Sequence, residues 1–393
     1  MITDRLLFLM ALTCALAVST IYYHQPLLPQ MAGSFGFTSA HGSLIATLTQ
    51  LGYATGLLLL VPLGDRVQPR RLTSIAICAN ALALLGCAAA PNFTLLLACS
   101  FAVGTTAVTA QIIIPAVTGR APPEARGRVA GWLLGGLSSG LLLARTLSGF
   151  AGEQLGWRAV FVLAAALDLA LLAIVLRSLP ESTSLSAIRY RDLMRSLGVL
   201  VREERTLCIS AATGFLMFAS FSALWASLAL LLAAPPYAYG PGAIGAFGLV
   251  ALVGILLSPK IGAIVDKAGA TPMVFAGAMA LAVGFLFIAA SGRSLAWLVV
   301  GMVLLDLGNR TGLVSNQARI YALRTEARSR LNTVFMVAFF LGGAVGAALG
   351  GYGAHHGGWT GLAVVGAVLA LVAAAVNALA WREPRASAEN RQA

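Results

Sequence analysis

The sequence predicts an all-α integral membrane fold, with twelve transmembrane helices in two six-helix pseudo-symmetric bundles, and three observations carry that prediction. Hydrophobic residues make up 59% of the 393 and charged residues only 10%, whereas a soluble domain has roughly 25% charged. Apolar runs of about 20 residues, the length that crosses a bilayer at about 1.5 Å per residue, recur down the whole chain. The chain also repeats itself about 202 residues apart, mainly in the short joints between those runs. Glu124-Ala125-Arg126-Gly127-Arg128 returns as Glu326-Ala327-Arg328-Ser329-Arg330, and Gly156-Trp157 as Gly358-Trp359. Gly140 and Gly149 return as Gly342 and Gly351, and Asp65 as Asp266, one residue out of register. Parallel repeats place a binding site at their shared axis.

The N-terminal bundle, 1–177, holds spans at 6–28, 40–63, 73–90, 94–117, 129–152 and 158–177. The first of these reads as an uncleaved helix rather than a signal peptide, because its apolar run is long and further spans follow. Residues 178–206 form a charged cytoplasmic linker, with an amphipathic helix expected over Arg189 to Arg205. The C-terminal bundle, 207–381, repeats the pattern at 207–232, 243–264, 272–291, 295–317, 330–352 and 359–381, and 382–393 is a tail. Connections of mostly four to twelve residues require antiparallel neighbours and put both termini on one side.

The net charge of +12 follows the parity of the loops. If both termini are cytoplasmic, 22 of the 26 Lys and Arg lie on or near that side, as the positive-inside rule requires. A nucleic-acid partner would instead need a clustered basic patch, so none is expected. Cys14, Cys78, Cys87, Cys99 and Cys208 show no C-x-x-C spacing and read as packing residues, with neither disulfide nor metal implied.

Between spans 2 and 3 stands Gly64-Asp65-Arg66-Val67-Gln68-Pro69-Arg70-Arg71, and between spans 8 and 9 stands Gly262 to Gly269 with Asp266-Lys267. Span 5 carries Gly131, Gly140, Ala144, Arg145, Ser148 and Gly149, and span 11 carries Gly342, Gly346, Ala347, Gly350 and Gly351. In these features the chain resembles the major facilitator superfamily, and within it the drug/proton antiporter branch of bacterial exporters, along essentially its whole length. Arg145 stands where that branch has proline, and Ser100 where it has the helix 4 arginine. The resemblance implies alternating access, a central cavity lined by helices 1, 4, 7 and 10, and export. Tight packing alone also explains small residues at four-residue spacing.

An ionised side chain at mid-membrane costs roughly 2.5–3.5 kcal/mol and persists where it meets water, a partner or a cavity. Four lie well inside the spans: Arg145, Asp168, Asp306 and Arg310. Asp306 and Arg310 are four residues apart on one helix face. The functional reading makes Asp306 a proton carrier tuned by Arg310; the alternative is an inert structural bridge. Asp168 is expected to staple helix 6 to helix 5 by pairing with Arg145. Arg145 itself suits an anionic substrate group. Tyr22, Tyr23 and His24 close the first span; His24 is a candidate proton relay, and the tyrosines are cavity candidates or interfacial anchors. Gln50, Gln111, Asn309 and Asn316 are further cavity candidates. A cytoplasmic gate is expected from Asp65, Arg66, Arg70, Arg71, Glu124 and Arg128 with Asp266, Lys267, Glu326 and Arg330. The alternative there is that the cations only set topology, although acids contribute little to orientation.

Gly136-Leu137-Ser138-Ser139-Gly140 matches G-x-S-x-G formally but lies inside an apolar helix, without the strand-to-helix turn that exposes a nucleophile. With no Walker motif, neither an enzyme nor an ATP-driven pump is expected. The expectation is a monomeric inner-membrane carrier with both termini cytoplasmic and no cofactor, exporting small organic molecules against protons. An uptake carrier or a proton-independent facilitator is the alternative.

Overall fold

The computed structural model describes residues 4–37, 39–179, 189–324 and 327–381. Its helices are α1 (Asp4–Ser19), α2 (Leu28–Phe35), α3 (Ser39–Leu59), α4 (Pro69–Ala89), α5 (Phe93–Thr106), α6 (Thr109–Thr118), α7 (Arg126–Leu155), α8 (Trp157–Ser178), α9 (Tyr190–Glu203), α10 (Arg205–Ala233), α11 (Pro241–Ala246), α12 (Ala251–Ala268), α13 (Ala270–Ala289), α14 (Leu295–Tyr321) and α15 (Arg328–Trp381). No strand occurs among the described residues. Ten helical stretches are long and apolar enough to cross a membrane. The outer surface displays large apolar side chains such as Ile75, Leu82, Leu147, Leu256 and Leu286. In hydrocarbon every backbone N–H and C=O needs an internal partner, and a helix supplies them all within one segment. The chain is therefore a multi-pass membrane protein.

Three expected spans are interrupted within their length. Span 1 stops at Ser19, turns through Thr20–His24, and resumes through Gln25–Leu27 into α2. Pro26 has no N–H to give a continuing helix, and short bonds from Tyr22 N to Ser19 O and from Gln25 N to Tyr22 O replace the ladder. Span 4 breaks at Ala107–Val108, between α5 and α6. Span 8 passes through a 3-10 turn, Phe247–Val250, which contains Gly248 and follows Gly245.

Residues 328–381 present the opposite case. A straight helix of 54 residues would be about 80 Å long, far beyond a bilayer core of about 30 Å. Instead the chain doubles back at Gly358, whose φ is +54°. The return is so tight that a β-carbon on Gly361 would lie 2.1 Å from the Gly353 carbonyl oxygen. Gly156, its repeat partner 202 residues earlier, also has positive φ (+81°) and separates α7 from α8. Both joints need a backbone that only glycine adopts freely.

The repeat extends into packing. Gly140 of α7 meets the Ala15 carbonyl of α1 with 2.0 Å left for a β-carbon, and Gly342 of α15 meets the Phe215 carbonyl of α10 with the same 2.0 Å. Helices this close lie backbone against backbone, which small residues permit. The amphipathic α9 buries Leu193, Leu197 and Leu200 and anchors to the end of α3 through Tyr190 Oη, which donates to Leu59 O at 3.0 Å.

Candidate substrate cavity

A cavity of about 170 Å³ lies at the centre of the helices, lined by residues of α1, α3, α6, α7, α10, α12, α14 and α15 together with Tyr22 from the break in span 1. Seven aromatic residues line it: Tyr22, Tyr53, Phe218, Phe221, Trp225, Phe339 and Phe340. Phe218 stacks on Phe339 with ring centres 4.0 Å apart, and Tyr53 meets Phe340 edge to face at 4.4 Å. Such pairs add specific geometry to their burial.

Three charged side chains line this cavity: Arg145, Asp306 and Arg310. Arg310 Nε donates to Asp306 Oδ2 at 2.9 Å, the contact that their spacing along α14 makes available. The pair is pressed against bare backbone of α12. A β-carbon at Gly254 would stand 1.7 Å from Asp306 Oδ2 and 2.5 Å from Arg310 Nε. At the 202-residue offset Gly254 corresponds to Gly52 and Asp306 to Gly104. In the first half those two glycines let α3 and α5 pack at backbone distance, Gly52 against the Phe101 carbonyl and Gly104 against the Thr49 carbonyl. The second half keeps one glycine and replaces the other with the carboxylate. A packing crevice in one repeat has become a polar one in the other.

Arg145 is buried between two rings, its guanidinium carbon 4.7 Å from the Tyr22 ring centre and 3.8 Å from that of Trp225. Its Nε donates to Gln25 Oε1 at 2.5 Å and Nη1 to Leu141 O at 3.4 Å. The expected staple to Asp168 is not formed. Asp168 is buried beside Tyr23, its Oδ2 without a hydrogen-bond partner among the described residues. Two ionised groups on neighbouring helices pair only if both point into the same crevice, and Arg145 turns to the cavity instead.

Of the sequence-derived candidates, Tyr22, Gln111, Arg145, Asp306, Asn309 and Arg310 come together around this one space. Gln111 Nε2 donates to Tyr53 Oη at 3.3 Å. Tyr23 and His24 are buried in the break of the first span but do not line the cavity. Gln50 lies beside Tyr22, near Gly343. Asn316 lies deeper along α14 and accepts from Thr213 Oγ1 at 3.0 Å, tying α14 to α10. Gly254, Trp225 and the phenylalanine wall are not among the residues the sequence singles out. Of these Gly254 alone carries a readable signal, its register with Gly52.

The cavity has unequal ends. Away from α9, α7 closes on α11: a β-carbon at Gly149 would be 2.5 Å from the Pro241 carbonyl oxygen, and Thr146 Oγ1 donates to Gly245 O at 3.0 Å. Glu153 adds its carboxylate there, against the backbone of Gly240 and Gly242. On the α9 side a vestibule of about 350 Å³ opens between Val61, Gln111, Pro115, Leu193, Leu197 and Arg330. Gln111 lines both spaces and so stands between them.

Of the expected gate residues, Arg330 lines that vestibule. Arg66, Arg71, Glu124, Arg128, Asp266 and Lys267 are exposed, and Arg70 donates to the Leu176 carbonyl. Asp65 ends the 3-10 turn Val61–Asp65. Glu326 lies outside the described residues. Among the described residues, the ion pairs on this side join Arg324 to Glu203 at 3.1 Å and to Glu204 at 2.6 Å. These carboxylates hold the Arg324 pKa above its ordinary value.

A family model described as Major Facilitator Superfamily matches residues 7–322 and 210–393. The chain is 37% identical over 381 residues to the "Uncharacterized transporter YgaY" of Escherichia coli O157:H7, covering 97% of this chain and 95% of that protein. Among solved structures it is similar to the nucleoside transporter NupG (TM-score 0.75, 15% identity, 97% of this chain and 100% of that one). It is also similar to a bacterial homolog of the human lysosomal transporter Spinster (TM-score 0.75, 17% identity, 96% and 97%).

Proposed function

Because the chain belongs to the Major Facilitator Superfamily and is a membrane transporter rather than an enzyme, we propose that it is a proton-coupled carrier exporting small organic molecules across the inner membrane by alternating access. The observation that carries this reading is the Asp306–Arg310 pair, which lines the central cavity at 2.9 Å with Asp306 buried and Arg310 half-buried. A carboxylate there can exchange a proton for its arginine contact, and so link protonation to the position of α14 against α12. An intramembrane charge of this kind is by default functional.

In this reading the molecule is two six-helix bundles. The spans are α1 with α2, α3, α4, α5 with α6, α7 and α8, then α10, α11 with α12, α13, α14 and the two arms of α15. Repetition of the α1–α7 contact as α10–α15 supports the division. The 22 of 26 cations that fall on or near the α9 side support placing that side in the cytoplasm. The conformation is then inward-facing, closed by α7 on α11 and open at the vestibule. The glycine faces of α7 and α15, which resemble those of antiporters, support export.

The test is Asp306→Asn in proteoliposomes with an imposed pH gradient and a trapped pH dye. Solute flux is expected to lose its dependence on the gradient, and unchanged coupling would remove Asp306 from the mechanism.

A further inference from the structure

We infer that the cargo is a small aromatic monocarboxylate, held by its carboxylate on Arg145 and by its ring against the wall of Phe218, Phe221, Phe339 and Phe340. The inference rests on the reading above that the central cavity is the transport site. It begins from charge. The cavity wall contributes two arginines and one aspartate, and the aspartate is already engaged by Arg310. Among the described residues no carboxylate lies within ion-pair contact of Arg145, so the wall carries one uncompensated cation. A buried charge is costly unless paired, and a ligand anion is the partner that the protein does not supply.

The chemistry of the anion follows from the donors. A guanidinium has five N–H groups, of which Gln25 and Leu141 accept two. The others belong to a planar fork that matches a carboxylate in bidentate fashion. Tyr22 and Trp225 hold that fork between their rings, which orients it before any ligand arrives. Asn309, on the same wall and with its Oδ1 unpartnered, adds a side-chain amide. A phosphomonoester would bring about −1.5 to −2 charges at neutral pH, more than this wall balances.

The body of the ligand follows from volume and lining. An apolar cavity of about 150 Å³ accepts benzene, and this one measures about 170 Å³. That leaves room for a single ring and one small polar group. Edge and face positions for a further ring are already set by the Phe218–Phe339 stack and the Tyr53–Phe340 pair.

The purified full-length chain in lipid nanodiscs should be titrated with benzoate and with benzamide, benzylamine and phenyl phosphate as neutral, cationic and dianionic analogues. Benzoate is expected to bind about tenfold or more tightly than benzamide, the scale of one charge-assisted hydrogen bond. Arg145→Gln is expected to bring the two to parity. An analogue other than benzoate binding best, no binding by any of the four, or an undiminished benzoate preference in folded Arg145→Gln would each overturn the inference. The wild-type ranking stands as the test even if that variant does not fold. Proton-coupled flux of a neutral or cationic compound would overturn this assignment alone, leaving the transport reading intact. Benzoate bound through Arg145 without proton-coupled flux would overturn the coupling instead.

Discussion

Gly254 of α12 presents bare backbone to Asp306 of α14, and a β-carbon there would stand 1.7 Å from the carboxylate oxygen. No side chain shares that space with the Asp306–Arg310 pair. Gly254→Ala must therefore displace the carboxylate or push α12 outward, and overpacking of this kind costs about 1–3 kcal/mol. Proton-coupled flux in proteoliposomes is expected to fall at least about tenfold, the equivalent of about 1.4 kcal/mol. Flux equal to wild type would show that the pair can move freely.

The two glycine seams should respond alike. Gly140→Ala and Gly342→Ala each drive a β-carbon to 2.0 Å from a backbone carbonyl of the facing helix. Each is expected to lower the thermal unfolding midpoint in detergent by the equivalent of about 1–3 kcal/mol. Gly131→Ala is the control: nothing lies within 4 Å of its β-carbon position, and the change is expected to stabilise by about 0.4–1 kcal/mol.

At the closed end, Glu153 sits against the first backbone groups of α11, where a negative charge is favoured by about 0.3–1 kcal/mol. Glu153→Gln should weaken the contact between α7 and α11. Spin labels placed across that contact are expected to show a larger population of the separated state, and an unchanged distance distribution would count against a gating role.

At the open end, Arg324 ties α9 to the loop before α15 through Glu203 and Glu204. Arg324→Gln should leave the unfolding midpoint unchanged, because the guanidinium is exposed to solvent. The vestibule should nonetheless open more often, and a Ser329→Cys reporter on its wall should react faster with a maleimide. Equal labelling rates would show that α9 is held without Arg324, by its buried leucines and the Tyr190 hydrogen bond.

How legible each part is depends on the range of the interactions involved. The apolar runs, the loop charges and the 202-residue repeat are local or periodic features, and they carry the membrane class and most helix positions. The breaks at Thr20–His24, Ala107–Val108 and Phe247–Val250 are invisible to the apolar pattern, because hydropathy records the solvent of a segment and not its hydrogen-bond ladder. The Asp306–Arg310 contact is readable because both residues ride one helix. The Arg145–Asp168 pairing fails because adjacency of helices says nothing about which way each side chain turns.

By itself the sequence determined that this chain lives in a bilayer, that it is duplicated, and that few charges enter its interior. The tertiary structure alone decided that Arg145 stacks between Tyr22 and Trp225, that Gly254 makes room for Asp306, and that α7 packs on α11 at one end while a vestibule lies beyond Gln111 at the other. The reason is physical. Burial in lipid and positive-inside topology act on each segment independently, whereas a cavity exists only where helices distant along the chain fail to fill the space between them.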